Sequence, residues 1–296
     1  MKLNSLTGKF RFLATPYFLV VIVLATLTFW VYFETLFFSP PKAQDFYTAP
    51  RKKPILVNQK KETDKQNQLS SLINFELSKL EGHYAIIIKD LSRPLEYKKN
   101  ENDIFTSASI YKLAVMYKIF DMLEKKQLQE TDEIQPSLTV ANALSLSITV
   151  SDNNSALALA QTAGWEKIDS LIKSEQISGF SLNQETPTIT AKAVSTLLEK
   201  IYNNKAVSPD ASIKMKQLLL AQKVNDRIPK YLPSETKVAH KTGELDFIRH
   251  DAGIVYGKKS DYIFIFLSET PAPSDATENI ANLSKKIFDA LESPSP

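Results

Sequence analysis

The 296-residue chain contains no cysteine. That absence excludes disulfides, thiol catalysis, cysteine-ligated metals and lipid attachment through a cysteine. Histidine is nearly as scarce. His83, His240 and His250 share no ligand spacing and no zinc-helix motif occurs, so no metal and no other cofactor is expected. Gly-x-Ser-x-Gly is missing too, and with it any signal for a Ser-His-Asp arrangement. Glycine numbers only 7. Positive charge is lacking from the body of the chain. Residues 1–66 hold 10 Lys/Arg against 4 Asp/Glu, whereas the remainder holds 26 against 29. The basicity belongs to the tail, so the pI of 8.7 does not describe a nucleic-acid-binding domain and no nucleic-acid partner is expected.

What remains is globular in composition, with 43% apolar and 23% charged residues. Met1–Arg11 is short and basic. Phe12–Phe33 then runs for 22 residues without a charge, long enough to span a bilayer, with Tyr17, Trp30 and Tyr32 towards its ends. The run is too long for a cleaved signal peptide, and no small-x-small site follows it. We expect a cytoplasmic tail at 1–11, a transmembrane signal anchor at 12–38, an extracytoplasmic linker at 39–66 and a single monomeric domain at 67–296. The linker holds Pro40-Pro41, Pro50 and Arg51-Lys52-Lys53-Pro54, which leave little to bury. The protein is thus expected at the cell membrane as a single-pass protein with its domain outside.

Within the domain the spacing predicts a helix over Leu69–Leu80 closed by Gly82, a strand at Tyr84–Ile88 and a second at Pro94–Lys98. A long apolar helix is expected over Ser109–Leu128, then helices at Val140–Leu146, Ser155–Thr162, Trp165–Ser174 and Ala191–Tyr202. Another starts at Ser208 or Asp210 and runs through Leu220. Strands follow at Lys237–Thr242, Asp251–Tyr256 and Tyr262–Leu267, the last nearly all apolar and so central, before a closing helix at Ser274–Leu291. This order predicts an α+β fold: an antiparallel sheet flanked by the terminal helices, plus an all-helical lobe, preceded by one transmembrane helix.

Three short motifs carry chemistry. Ser109 and Lys112 stand three apart at the head of an apolar run, so that the hydroxyl can face the amine. A desolvated lysine can take a serine proton. The same spacing recurs at Ser39–Lys42, Ser170–Lys173 and Ser234–Lys237. What singles out Ser109 is the order that follows: Ser151-Asp152-Asn153, then Lys241-Thr242-Gly243. From about residue 68 onward the chain resembles a class A β-lactamase-related serine hydrolase of the penicillin-recognising fold. His250-Asp251-Ala252-Gly253-Ile254-Val255 adds to the likeness.

The resemblance implies that Ser109 attacks a carbonyl to form an acyl-enzyme, that Lys112 accepts its proton, and that Ser151 relays a proton to the departing nitrogen. It implies Asn153 on a substrate amide and Lys241 with Thr242 on a substrate carboxylate. Gly243 would let the substrate lie along the strand edge, and the N–H groups of Ser109 and Glu244 would hold the oxyanion. Asp152 would cap its loop, and His83, His240, His250 and Asp251 would be structural. One part departs. The family's Glu-x-x-Leu-Asn element survives as Leu182-Asn183 with Thr186-Pro187 after it, but Gly179 stands where the water-positioning glutamate belongs. Glu175 and Glu185 are the nearby candidates. The expected function is amide cleavage in β-lactams or related cell-wall peptides. The alternatives are a cell-wall D,D-peptidase or a non-hydrolytic penicillin-binding sensor, the latter disfavoured by a cytoplasmic tail of 11 residues.

Overall fold

Tyr262–Leu267 has only large apolar side chains, which leaves no polar face to turn to water. It lies in the middle of the main sheet of the computed structural model, which describes residues 59–293. The anchor at 12–38 and most of the linker lie outside those residues. Among the described residues no helix is long and apolar enough to cross a membrane.

The chain opens with helix α1 (Gln59–Leu77), strand β1 (His83–Asp90), strand β2 (Glu96–Lys99) and the two-residue strand β3 (Phe105–Thr106). A 3₁₀ turn at Ala108–Tyr111 leads into α2 (Lys112–Glu124). The short hairpin β4 (Glu133–Gln135) and β5 (Leu138–Thr139) precedes α3 (Val140–Thr149), α4 (Asn153–Ala163) and α5 (Trp165–Ser174). Strands β6 (Phe180–Ser181) and β7 (Thr188–Ile189) then lead to α6 (Ala191–Tyr202) and α7 (Pro209–Leu220). The chain closes with β8 (Lys237–Leu245), β9 (Ile248–Tyr256), β10 (Asp261–Glu269) and α8 (Pro273–Glu292).

Five strands form the main sheet in the order β2-β1-β10-β9-β8, every neighbouring pair antiparallel. Strand β10 is central, as its composition predicts, and β8 is an edge. Leu69 and Ile73 of α1 and Ile280, Leu283 and Ile287 of α8 bury against Ile86, Ile88, Phe264 and Phe266 on one face. Helix α6 covers the other face, joined by the Lys89–Glu199 ion pair at 2.6 Å. The remaining helices form the helical lobe.

Helix α3 runs on to Thr149 and α4 spans Asn153–Ala163, and two other expected helices differ more. Helix α1 starts ten residues before Leu69, within the stretch read as tether. Its polar first turns are held by long-range bonds: Lys65 Nζ donates to Leu291 O at 3.0 Å and Gln66 Nε2 to Glu96 O at 2.7 Å. It ends at Leu77, ahead of Leu80. The run expected as one helix from Ser109 to Leu128 is a 3₁₀ turn followed by an α-helix that stops at Glu124, where Lys126 turns to φ +56°. Thr190 caps α6, and Ser208 rather than Asp210 caps α7.

Candidate active site

Two segments meet beside the edge strand β8. The first carries Ser109. Strand β3 pairs with β7, and Ser107 N–H donates to Pro187 O at 2.8 Å, which fixes the chain just before the 3₁₀ turn. Ala108 sits at φ +42°, a conformation that non-glycine residues adopt only where their surroundings impose it. Ser109 follows, half-buried, and Ile110 is wholly buried behind it. Lys112 is the first residue of α2, and three residues apart in a 3₁₀ turn eclipse one another.

The second segment is the break between α3 and α4. Ser151 also takes a left-handed conformation, φ +60°. Asp152 caps α4 by accepting the Ser155 N–H at 2.7 Å, which gives it the structural part expected of it. Asn153 opens the helix and is exposed.

The side chains of these two segments converge with Lys241 of β8. Lys112 Nζ donates to Ser151 O at 2.6 Å, Asn153 Oδ1 at 2.8 Å and Ser151 Oγ at 3.3 Å. Lys241 Nζ donates to Ser151 Oγ at 2.8 Å and Thr242 O at 2.8 Å. The Ser151 hydroxyl oxygen thus accepts from both lysines, leaving its own hydrogen to point elsewhere. Because Asn153 turns its oxygen to Lys112, its two amide N–H donors are left for another partner. The spacing predicts the Ser109 hydroxyl facing the Lys112 amine. Here no hydrogen bond joins them, because the ammonium is drawn to the carbonyl and amide oxygens on its other side.

Both lysines are buried, at 1% and 0% exposure. Burial, and for Lys241 the repulsion of Lys112, lowers their pKa values to about 8 for Lys112 and about 7 for Lys241. The Asp152 carboxylate offsets part of this for Lys112. Near neutral pH the pair therefore holds fewer protons than two exposed lysines would.

Behind them lie the supports. Thr242 faces Asp251 across the β8–β9 ladder. Asp251 takes His240 Nδ1 at 2.8 Å with one oxygen and the Ile228 N–H at 3.0 Å with the other. His250 donates from Nε2 to Thr106 O at 2.9 Å and accepts the Ser268 N–H on Nδ1 at 3.0 Å, a neutral tautomer. Burial pulls its pKa down to about 4. His83 stacks on Phe105 at 4.5 Å and meets Asp103. A Cβ at Gly243 would lie 3.2 Å from Ala108 Cβ and 3.1 Å from Ile110 Cγ1. The missing side chain therefore makes room for the turn that carries Ser109, a use the sequence reading did not assign to it. Arg227 was not singled out by any spacing. It is 1% exposed, donates from Nη2 to Glu244 Oε2 at 2.6 Å, and lies next to Ile228 on the Asp251 side of the strand.

The loop between α5 and α6 holds no carboxylate bonded to these groups. Asp169 accepts the N–H groups of Leu182 and Asn183 at 2.8–3.0 Å and so anchors the loop. Glu175 is bonded to Lys200 at 2.8 Å, which lowers its pKa. Glu185 is exposed. Gly179 has φ +116°, and a Cβ there would fall 2.3 Å from Thr190 Oγ1. Gly179→Glu should therefore cost about 2–4 kcal/mol of stability, read as a lowered denaturation midpoint. An unchanged midpoint would show that this loop can accept the glutamate. Among the described residues no cluster of His, Asp and Glu is placed to hold a metal.

Solved structures share this fold, three of them as follows. TLA-1 extended-spectrum β-lactamase superposes with TM-score 0.71 at 20% identity, over 77% of this chain and 100% of its own. A β-lactamase from Chitinophaga pinensis gives TM-score 0.69 at 20% identity, over 77% and 99%. A variant of PBP-A, solved as an acyl-enzyme complex with penicillin G, gives TM-score 0.70 at 17% identity, over 78% and 97%. No relative was found among curated protein sequences. Residues 66–291 match the family model described as the beta-lactamase enzyme family, and on that match the chain belongs to this family of serine hydrolases.

Proposed function

We propose that the protein is a membrane-anchored serine amidohydrolase that opens β-lactams, or cell-wall peptides of like geometry, through an acyl-enzyme on Ser109. The observation that carries this reading is the Ser151 oxygen held between Lys112 and Lys241. A neutral Lys112 keeps two N–H donors for Ser151 O and Asn153 Oδ1 and gains a lone pair for the Ser109 proton. Ser109 Oγ then bonds the carbonyl carbon, and its proton passes to Lys112. The oxyanion is held by the N–H groups of Ser109, at the orphan start of its turn, and of Glu244, on an edge strand. As the C–N bond breaks, Ser151 gives its proton to the nitrogen and is reprotonated by Lys112. Asn153 orients the substrate amide. Lys241, Thr242 and the guanidinium of Arg227 supply the field for a substrate carboxylate.

The anchor at 12–38 belongs to the same proposal, with 1–11 inside the cell and the domain outside, tethered by 39–66. It rests on the charge-free run of 22 residues with basic residues before it.

A second reading, a cell-wall D,D-peptidase that penicillins trap, is favoured by the loop between α5 and α6. Gly179 replaces the water-positioning glutamate, and Glu175 is committed to Lys200. Both readings predict a burst of ring opening from a chromogenic cephalosporin, equal to the enzyme present, then slow turnover. The adduct should map to the peptide holding Ser109. Release of D-alanine from a model peptide selects the peptidase, and rapid turnover the β-lactamase. An absence of any adduct would remove both.

A further inference from the structure

Thr242 and Glu244 point to the same face of β8, two residues apart. Arg227 is placed over that face because its neighbour Ile228 is bonded to Asp251, the ladder partner of Thr242. Its guanidinium is 1% exposed, yet Nε and Nη1 have no hydrogen-bond partner. Asp226 stands 3.7 Å from Nη1, beyond hydrogen-bond reach. The one strong bond is to Glu244 at 2.6 Å, and the other Glu244 oxygen meets Arg249 Nη2 at 3.2 Å. The two sides of this bridge are unequal. The Glu244 side chain is 56% exposed, so the carboxylate can swing into solvent while the guanidinium cannot. A buried cation with unfilled donors, over the face of β8 that carries Thr242, is an anion site, and the chain's own carboxylate lies in it.

We propose that Glu244 is a resident competitor for the substrate carboxylate. It holds the guanidinium that an incoming acid must take, and so selects against acids that cannot displace it. The inference rests on the reading that substrates acylate Ser109 beside Lys241 and Thr242, and it concerns the Glu244 side chain, whereas the oxyanion role concerns its backbone.

The test uses Glu244→Gln in the full-length protein, with Glu244→Ala as a second variant should the first fold poorly. The ratio of the second-order labelling rate of a free-acid penicillin to that of its own methyl ester should be about tenfold higher in the variant than in the unaltered protein. Equal changes for acid and ester would overturn the proposal. A second readout needs no acylation. Phenylacetate should raise the melting temperature of Glu244→Gln more than that of the unaltered protein, and an equal shift in both would refute the competition. If neither protein is labelled by any penicillin, the Ser109 reading falls, and the phenylacetate comparison still decides for or against Glu244.

Discussion

Replacing Ser109 by alanine should abolish covalent capture of a fluorescent penicillin while leaving the fold intact. The Ser109 hydroxyl makes no hydrogen bond within the protein, so its removal leaves no buried partner unsatisfied. Stability should stay within about 0.5 kcal/mol, since alanine suits a helix start. The chemical loss should be on the order of 10⁴-fold to 10⁶-fold, the range for removing a serine nucleophile from an assembled site. Non-covalent competition by the same penicillin should persist, because Asn153, Lys241 and Thr242 are untouched. Gel fluorescence and intact mass on the variant check this. An adduct that survives the change would place the nucleophile elsewhere, with Ser151 the first to examine.

The second large effect is expected from Lys112→Met. Losing a positioned base slows acylation by about 10²-fold to 10⁴-fold. The pH profile separates this from loss of packing. Acylation needs the neutral amine, so in the unaltered protein the rate should climb with pH through about pH 8, where Lys112 titrates, and level off above it. In the variant that climb should vanish, leaving a low and flat rate. Removing Lys112 also removes the cation that depresses Lys241, whose pKa should rise, so Lys241 stays charged to higher pH. Second-order labelling rates measured from about pH 5.5 to 9 test both statements. A variant that retains the ascending limb would assign the base to another group.

Much of this site was legible because its parts are short, ordered motifs that keep their meaning without a three-dimensional context. Ser109, Lys112, Ser151, Asn153 and Lys241 fall together in the structure as their order in the chain implies. The central place of β10 was legible from apolar content alone. What escaped the reading depends on contacts between distant segments. Arg227 sits in an irregular loop with no periodicity, and its importance comes from burial beside a strand that starts 10 residues on. The side chain of Glu244 acquires its part only from Arg227 and Arg249. The left-handed turns at Ala108 and Ser151 carry no glycine to announce them. Strands β3, β6 and β7 have two residues each, too few for any alternation to show. The first turns of α1 are polar and helical only because Lys65 and Gln66 find partners more than 25 positions away.

The pairing of β1 with β10 has a bearing on how the protein is made. His83 lies opposite Glu269, so the first long strand has to wait for the last one to leave the ribosome. A sheet built from such distant partners closes late, because the entropy of a very long loop must be met before any pairing offsets it. Ser109 and Lys112 are synthesised early, but the strand that brings Lys241 to them is held in place through β9 by β10. An incomplete chain can therefore present the serine and its base but not the second lysine, and reactivity should arrive in one step with the completed domain.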